Sequence, residues 1–313
     1  MFFDHRIASD RGADFVALAP TGDETILHVT PALAGRPVVG DWVAADEFAR
    51  VVAIAPRRGL LARARGTTAQ AIAANLDVVF VVTAPGREFS PPRIERYLVA
   101  IRAAGADAVV VLNKCDLARD PAALVADLYA VTGDAPVVAI SAAYGDGCAA
   151  LDAYVVAGTT LALVGSSGVG KSTLANRLLG ADRFATRAAR ASDGRGVHTS
   201  TRRELVALPG GAWLVDTPGM RAFAPWSNDG ALGDVFADVA AAATRCRFRD
   251  CAHASEPGCA VRDEIAAGRY ERWRALRAEM AYLDRRDDPA ALADEKRRWK
   301  SITKAQRNHQ RWT

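Results

Sequence analysis

The stretch "VLNKCD" occupies residues 111–116, at the end of the apolar run "AVVVL", and the glycine-rich loop "GSSGVGKST" occupies residues 165–173. The order of these two decides the fold. An Asn-Lys-x-Asp tetrapeptide at a strand end reads a nucleotide base, and a G-x-x-x-x-G-K-[ST] loop cradles phosphates. The usual chain lays down the phosphate loop first, whereas here Gly165 comes 52 positions after Asn113 (165 − 113). Either NKCD is a chance tetrapeptide or the chain has been rewired.

The phosphate loop stands between an apolar strand, "TLALVG", and a helix-like run, "STLANRLLG", which is the context such a loop needs. Its segment Gly165, Ser166, Ser167, Gly168, Val169, Gly170, Lys171, Ser172 and Thr173 is expected to wrap the phosphates with backbone N–H groups. Lys171 would set an ammonium between the β- and γ-phosphates, and Ser172 would offer a hydroxyl to Mg²⁺. Some 45 residues after Lys171 (216 − 171), "WLVDTPG" ends another apolar strand. Asp216 suits an Mg²⁺-associated carboxylate, and Gly219, lacking a side chain, can bring its N–H to a γ-phosphate.

NKCD supplies what guanine requires. The base presents N1–H and an exocyclic amine as adjacent donors, which the Asp116 carboxylate can accept, whereas adenine N1 is an acceptor and would be repelled. Asn113 can bridge base and loops, and the aliphatic stem of Lys114 can cover the ring. "ISAAYGDG" follows the next strand, where Ser141 would fix a turn and the Ala142 N–H would meet guanine O6. Four compatible parts in rotated order argue against coincidence. A sheet's contacts do not depend on where the chain is cut, provided the old ends join at the surface, and residues 147–158, "GCAALDAYVVAG", are the expected join.

Between the phosphate loop and DTPG, "FATRAARASDGRGVHTSTRREL" has the character of a switch loop ordered by a γ-phosphate and Mg²⁺. Thr199 and Thr201 are the two candidate threonines for the metal. Met220 stands where many such enzymes carry a water-orienting glutamine, and a thioether cannot do that work. Intrinsic hydrolysis should be slow unless another group or a partner completes the site, and His198 is the candidate group.

The remainder of the chain frames this site. Residues 14–63 carry short β-rich runs separated by Gly, Asp and Pro, as in a small barrel, and a string of Arg57, Arg58, Arg63 and Arg65 follows that could either line a nucleic-acid surface or be solvated linker. "CRFRDCAHASEPGC" offers Cys246, Cys251, His253 and Cys259, three thiolates and an imidazole that suit one closed, structural tetrahedral Zn²⁺. The last eighteen residues hold seven Lys or Arg and no acid, among them Lys296, Arg297, Arg298 and Lys300, with Trp299 and Trp312 interspersed. That tail could meet phosphates and stack on bases, or form a solvated helix with core tryptophans. No run reaches the ~18 apolar residues of a membrane span, and charges fill the place of a secretory core, so a cytoplasmic protein without membrane contact is expected. With 50% hydrophobic and 24% charged residues, the composition is that of an ordinary globular chain.

Together "NKCD", "SAAYGDG", "GSSGVGKST", "GRGVHTST", "DTPG" and the Cys/His run closely resemble the RsgA family of small-subunit ribosome biogenesis GTPases, over nearly the whole chain. From residue 76 continuous apolar runs such as "LDVVFVVTA" and "AVVVL" alternate with helix-like stretches, which reads as a doubly wound α/β domain over 67–228. The resemblance implies that this is a circularly permuted P-loop GTPase domain in a multidomain α/β protein, between an N-terminal OB-fold β-barrel over 1–66 and a C-terminal helical zinc-binding domain with a basic end over 229–313. It implies hydrolysis of GTP to GDP stimulated by the 30S subunit, rRNA contact, a role in late subunit maturation, and a catalytic part for His198. A monomer is expected. "HTST" departs from the family's common "HTTT", and Val197 precedes the histidine, so the switch register carries over least securely. The competing reading is a nucleic-acid-binding module whose guanine-nucleotide switch has no useful turnover.

Overall fold

The computed structural model describes residues 2–19, 22–65, 68–184, 203–216 and 229–287. Five strands form the N-terminal barrel: β1 (His5–Asp10), β2 (Asp14–Leu18), β3 (Glu24–Val29), β4 (Trp42–Ala45) and β5 (Arg50–Ile54). They close in the order β1-β2-β3-β5-β4-β1, with β3 and β5 parallel and the other pairs antiparallel, the Greek-key closure of an OB fold. Alternate residues Ile7, Phe15, Ala17, Leu27, Val43 and Val51 point inward and fill the barrel, as the two-residue period of a strand requires.

The first barrel strand, "HRIASD", was not among the runs legible by alternation, because its outward residues serve a second neighbour. A register shift between Ile7 and Ser9 lets β1 pair with β2 and β4 and also, at Ser9↔Glu204, with a strand of the central sheet. A hairpin of β6 (Leu60–Arg65) and β7 (Thr68–Ala74) follows the barrel. Of the arginine string, Arg57 forks onto the fully buried carboxylate of Asp41 at 2.8 and 2.7 Å, and Arg58 pairs with Asp77 at 2.9 Å.

The central domain alternates β8 (Val78–Thr83), α1 (Pro91–Ala103), β9 (Asp107–Leu112), α2 (Pro121–Thr132), β10 (Val137–Ala139), β11 (Thr160–Val164), α3 (Lys171–Leu179), β12 (Glu204–Ala207) and β13 (Trp213–Asp216). Its sheet order is β10-β9-β8-β11-β13-β12, parallel except for the antiparallel pair β12 and β13. Both faces are covered, which explains the unbroken apolar runs. Val78, Phe80, Val82 and Leu163 pack toward Leu174 of α3, while Val79, Val81 and Val110 pack toward Leu98 and Ile101 of α1. Residues 148–154 form a 3-10 turn within the expected join, carrying the chain from the β10 edge back to β11 in the middle of the sheet. NKCD and the phosphate loop therefore leave the same carboxyl edge, where open α/β sheets bind ligands.

The C-terminal region is helical: α4 (Asp229–Val235), α5 (Ala237–Ala243), α6 (Ala260–Glu264) and α7 (Ala267–Asp287). It shares a core with the central domain, since Phe236, Val239, Trp273, Leu276 and Met280 belong to the same apolar cluster as Leu98 and Ile101. A buried ion cluster fixes the contact. Glu95 of α1, 1% exposed, accepts from Arg269 at 2.7 Å and from Arg272 at 2.9 Å, and the Arg269 guanidinium lies 4.1 Å above the Phe236 ring. Among the described residues no helix is long and apolar enough to cross a membrane.

Candidate nucleotide site and metal centre

The two halves of the site meet through side chains of NKCD. Asn113 is buried at the end of β9, where its Nδ2 donates to the Val169 carbonyl at 2.8 Å and its Oδ1 accepts the Ala142 N–H at 2.9 Å. Lys114 adopts a left-handed backbone, φ 64°, which swings its stem across the loop so that Nζ donates to the Gly168 carbonyl at 2.6 Å. The Ser141 hydroxyl donates to Asp116 Oδ1 at 2.6 Å, orienting the carboxylate and leaving Oδ2 as an acceptor for a base edge. The Ala142 N–H, read from sequence as a partner for guanine O6, is thus already directed at Asn113 and would serve O6 only as a shared donor.

Two of the three glycines of the phosphate loop are required by approach as well as by dihedral angle. Gly165 (φ 141°) would drive a Cβ to 2.2 Å from the Val82 carbonyl oxygen, and Gly170 (φ 97°) would drive one to 2.3 Å from Asn113 Nδ2. Lys171, the first residue of α3, donates from Nζ to the carbonyls of Gly165 at 2.8 Å and Ser166 at 2.6 Å, so its ammonium is anchored over the loop. Ser172 and Thr173 follow on the first turn of α3, whose N-terminal N–H groups and dipole favour an anion. Val169 is fully buried under the loop. Ser166 is also held from the side: Arg93, on the first turn of α1, donates to its hydroxyl and pairs with Glu88 at 3.1 Å. No motif contains Arg93, and a lone arginine opening a helix gave no signal in the sequence.

Asp216 ends β13. The pairing Ala162↔Val215 carries it level with Leu163, two residues short of the phosphate loop. Burial and the cross-strand neighbour Glu204 push its carboxyl up to about 6. A buried carboxylate at the strand end suits a divalent ion, and Ser172 lies on the element that follows the neighbouring strand. Gly219, His198, Thr199, Thr201 and the basic tail with Lys296, Arg297, Arg298 and Lys300 lie outside the described residues.

In the C-terminal region Cys246, Cys251, His253 and Cys259 bring their ligand atoms within 4.8 Å of one another. His253 Nδ1 lies 3.5 Å from Cys246 Sγ and 3.4 Å from Cys259 Sγ, and those two sulfurs are 4.0 Å apart. These are the edges of a tetrahedron around an ion with bonds of about 2.0–2.3 Å, so the group could hold one zinc. The loop is shaped for it. Glu256 accepts the N–H groups of Ala252, Ala254 and Ser255, His253 takes a left-handed φ of 59°, and the Tyr270 hydroxyl donates to the His253 carbonyl.

Comparison with known proteins agrees with this architecture. Residues 54–226 match the family model described as RsgA GTPase. The chain is 43% identical to the small ribosomal subunit biogenesis GTPase RsgA of Opitutus terrae, over 99% of this chain and 92% of that one. It is 49% identical to the protein of the same name from Xylella fastidiosa, over 74% and 69%. Among solved structures it is similar to YjeQ from Thermotoga maritima, with TM-score 0.65, 27% identity and coverage of 88% and 98%. The fold is also that of YloQ, a circularly permuted GTPase, with TM-score 0.59, 21% identity and coverage of 89% and 94%.

Proposed function

The chain belongs to the RsgA GTPase family, and from that premise we propose that it hydrolyses GTP to GDP and phosphate while bound to the 30S subunit, late in that subunit's maturation. The observation that carries the nucleotide reading is the pair of bonds from Asn113 and Lys114 into the phosphate loop, which makes one pocket of two motifs in rotated order. Asp116 accepts the guanine N1–H and amine, the stem of Lys114 covers the ring, and residues 165–173 surround the phosphates. Lys171 places its charge between the β- and γ-phosphates, where negative charge develops as the bond to the γ-phosphoryl breaks. Ser172 and Asp216, with Thr199 or Thr201, would hold Mg²⁺, which when bound neutralises the phosphate oxygens. Gly219 contributes an N–H to the γ-phosphate, and His198 orients the attacking water in place of Met220.

The subunit as partner is supported by the names of the relatives, small ribosomal subunit biogenesis GTPases. The barrel (1–66) and the basic end (229–313) flank the GTPase domain (67–228) as the rRNA-facing parts, and the Cys246, Cys251, His253 and Cys259 group holds one structural zinc. The protein works as a monomer in the cytoplasm, where 30S particles are built. Phosphate release from GTP and from ATP, together with co-sedimentation with 30S subunits, tests the reading. Equal use of ATP removes the role of Asp116, and binding to the subunit without turnover leaves only a guanine-nucleotide switch on a nucleic-acid-binding module, the reading that Met220 would favour.

A further inference from the structure

Arg177 lies on the second turn of α3, six residues past Lys171 (177 − 171) and outside every nucleotide motif. Its side chain crosses to the base-reading side. Nε donates to the Ala142 carbonyl at 2.7 Å and Nη2 to the Ala143 carbonyl at 3.2 Å. Both carbonyls belong to the loop after β10, which turns tightly: Ser141 N–H donates to the Asp146 carbonyl at 2.9 Å, and Gly145 N–H to the Ser141 carbonyl at 2.7 Å.

The loop is shaped to admit the guanidinium. Gly145 has φ +98°, and a Cβ there would sit 2.7 Å from Arg177 Nη1. The turn therefore needs glycine for its dihedral angle, and a side chain there would also push the arginine's tip from its place. The same short loop carries Ser141, which orients Asp116, and Ala142, which meets Asn113.

On the proposed guanine-binding reading, on which this step rests, we infer that Arg177 is a positioning residue for base recognition and a determinant of how long guanine nucleotide is retained. It clamps the base-reading loop to the helix that carries Lys171 and Ser172. The planar fork spans two carbonyls, so lysine can replace it only in part. Together with the bonds from Asn113 to Val169 and from Lys114 to Gly168, it gives the two halves of the pocket a third fastening. It is the only one of the three that starts on the phosphate side. Without it, loop 141–146 loses its tie to α3 and is held at the base side only by the bonds of Ser141 to Asp116 and Ala142 to Asn113, while the phosphate loop keeps its own glycine-dictated shape.

The test uses the full-length protein and mant-GDP. Dissociation from Arg177→Ala is expected to be about tenfold or more faster than from wild type, the scale of losing charge-assisted hydrogen bonds, with Arg177→Lys in between. Competition against mant-GDP separates the two sides of the pocket. The preference for GDP over IDP, which lacks the amine facing Asp116, should shrink in Arg177→Ala, while the ratio of GMPPNP to GDP affinity, which reads the phosphate side, stays at the wild-type value. An unchanged dissociation rate, or both ratios moving together as a general loosening would cause, overturns the inference. Wild-type protein that fails to bind GDP overturns the guanine reading itself, and this step with it.

Discussion

Asn113 Nδ2 reaches the Val169 carbonyl at 2.8 Å although 56 residues of chain separate them. That one contact spans the rotation: a residue that reads the base holds the backbone of a loop that reads phosphate, and the chain between them runs through α2, β10, the join and β11. Replacing Asn113 by Ala strands two buried partners, the Val169 carbonyl and the Ala142 N–H, at about 1–3 kcal/mol each. Thermal unfolding of Asn113→Ala should fall by several degrees, and GDP affinity measured by calorimetry should drop more than tenfold.

Asp116→Asn exchanges an acceptor-only group for one that also donates. Guanine loses its match to N1–H and the amine, whereas xanthine, with a carbonyl at C2, gains a donor facing it. The variant is expected to prefer XTP over GTP in competition with mant-nucleotides; retention of the GTP preference would show that Asp116 does not face the base.

Gly170→Ala forces a Cβ to 2.3 Å from Asn113 Nδ2 at a φ of 97°. The loop must shift away from NKCD, so nucleotide binding should be lost at micromolar concentration. The circular dichroism spectrum should stay that of the parent, because the strands beneath do not depend on this turn.

Zinc removal should act locally. The His253 ring packs 5.7 Å from the Trp273 ring, so a chelator that extracts the ion is expected to change tryptophan fluorescence and lower the unfolding temperature. Cys259→Ser should reduce bound zinc, measured by mass spectrometry, from about one equivalent per chain to a small fraction.

Glu95→Ala leaves Arg269, 8% exposed, without its buried counter-charge. The exposed Asp238 still pairs with Arg269 at 3.1 Å, so the loss should fall short of the about 3–5 kcal/mol of a fully stranded buried charge. Chemical denaturation should show that loss, with Glu95→Gln milder because it keeps an acceptor for Arg269.

The doubly wound sheet was legible because strands covered on both faces must be continuously apolar, as "VVFVV" and "AVVVL" are, and the motifs at their ends fixed which edge carries the ligand. The Cys/His group was legible because metal ligands must be those residue types at short spacing. What escaped is what depends on distant partners. β1 reads poorly as a strand since it pairs with β2, β4 and β12 at once. The antiparallel run of β12 leaves no mark on "ELVA". Arg177, Arg93 and Arg269 are ordinary surface arginines in sequence; their partners Ala142, Ser166 and Glu95 lie 35, 73 and 174 residues away.

On the proposed function, this rotated pocket turns over GTP in response to the small ribosomal subunit. The direct measurement is the initial rate of phosphate release from GTP by the full-length protein, alone and with purified 30S subunits, beside 50S subunits as control. A slow basal rate raised at least tenfold by 30S and not by 50S is expected, because with Met220 in place of a water-orienting glutamine the attacking water is guided only once the particle completes the site around His198. A rate that ignores the 30S subunit would contradict the account.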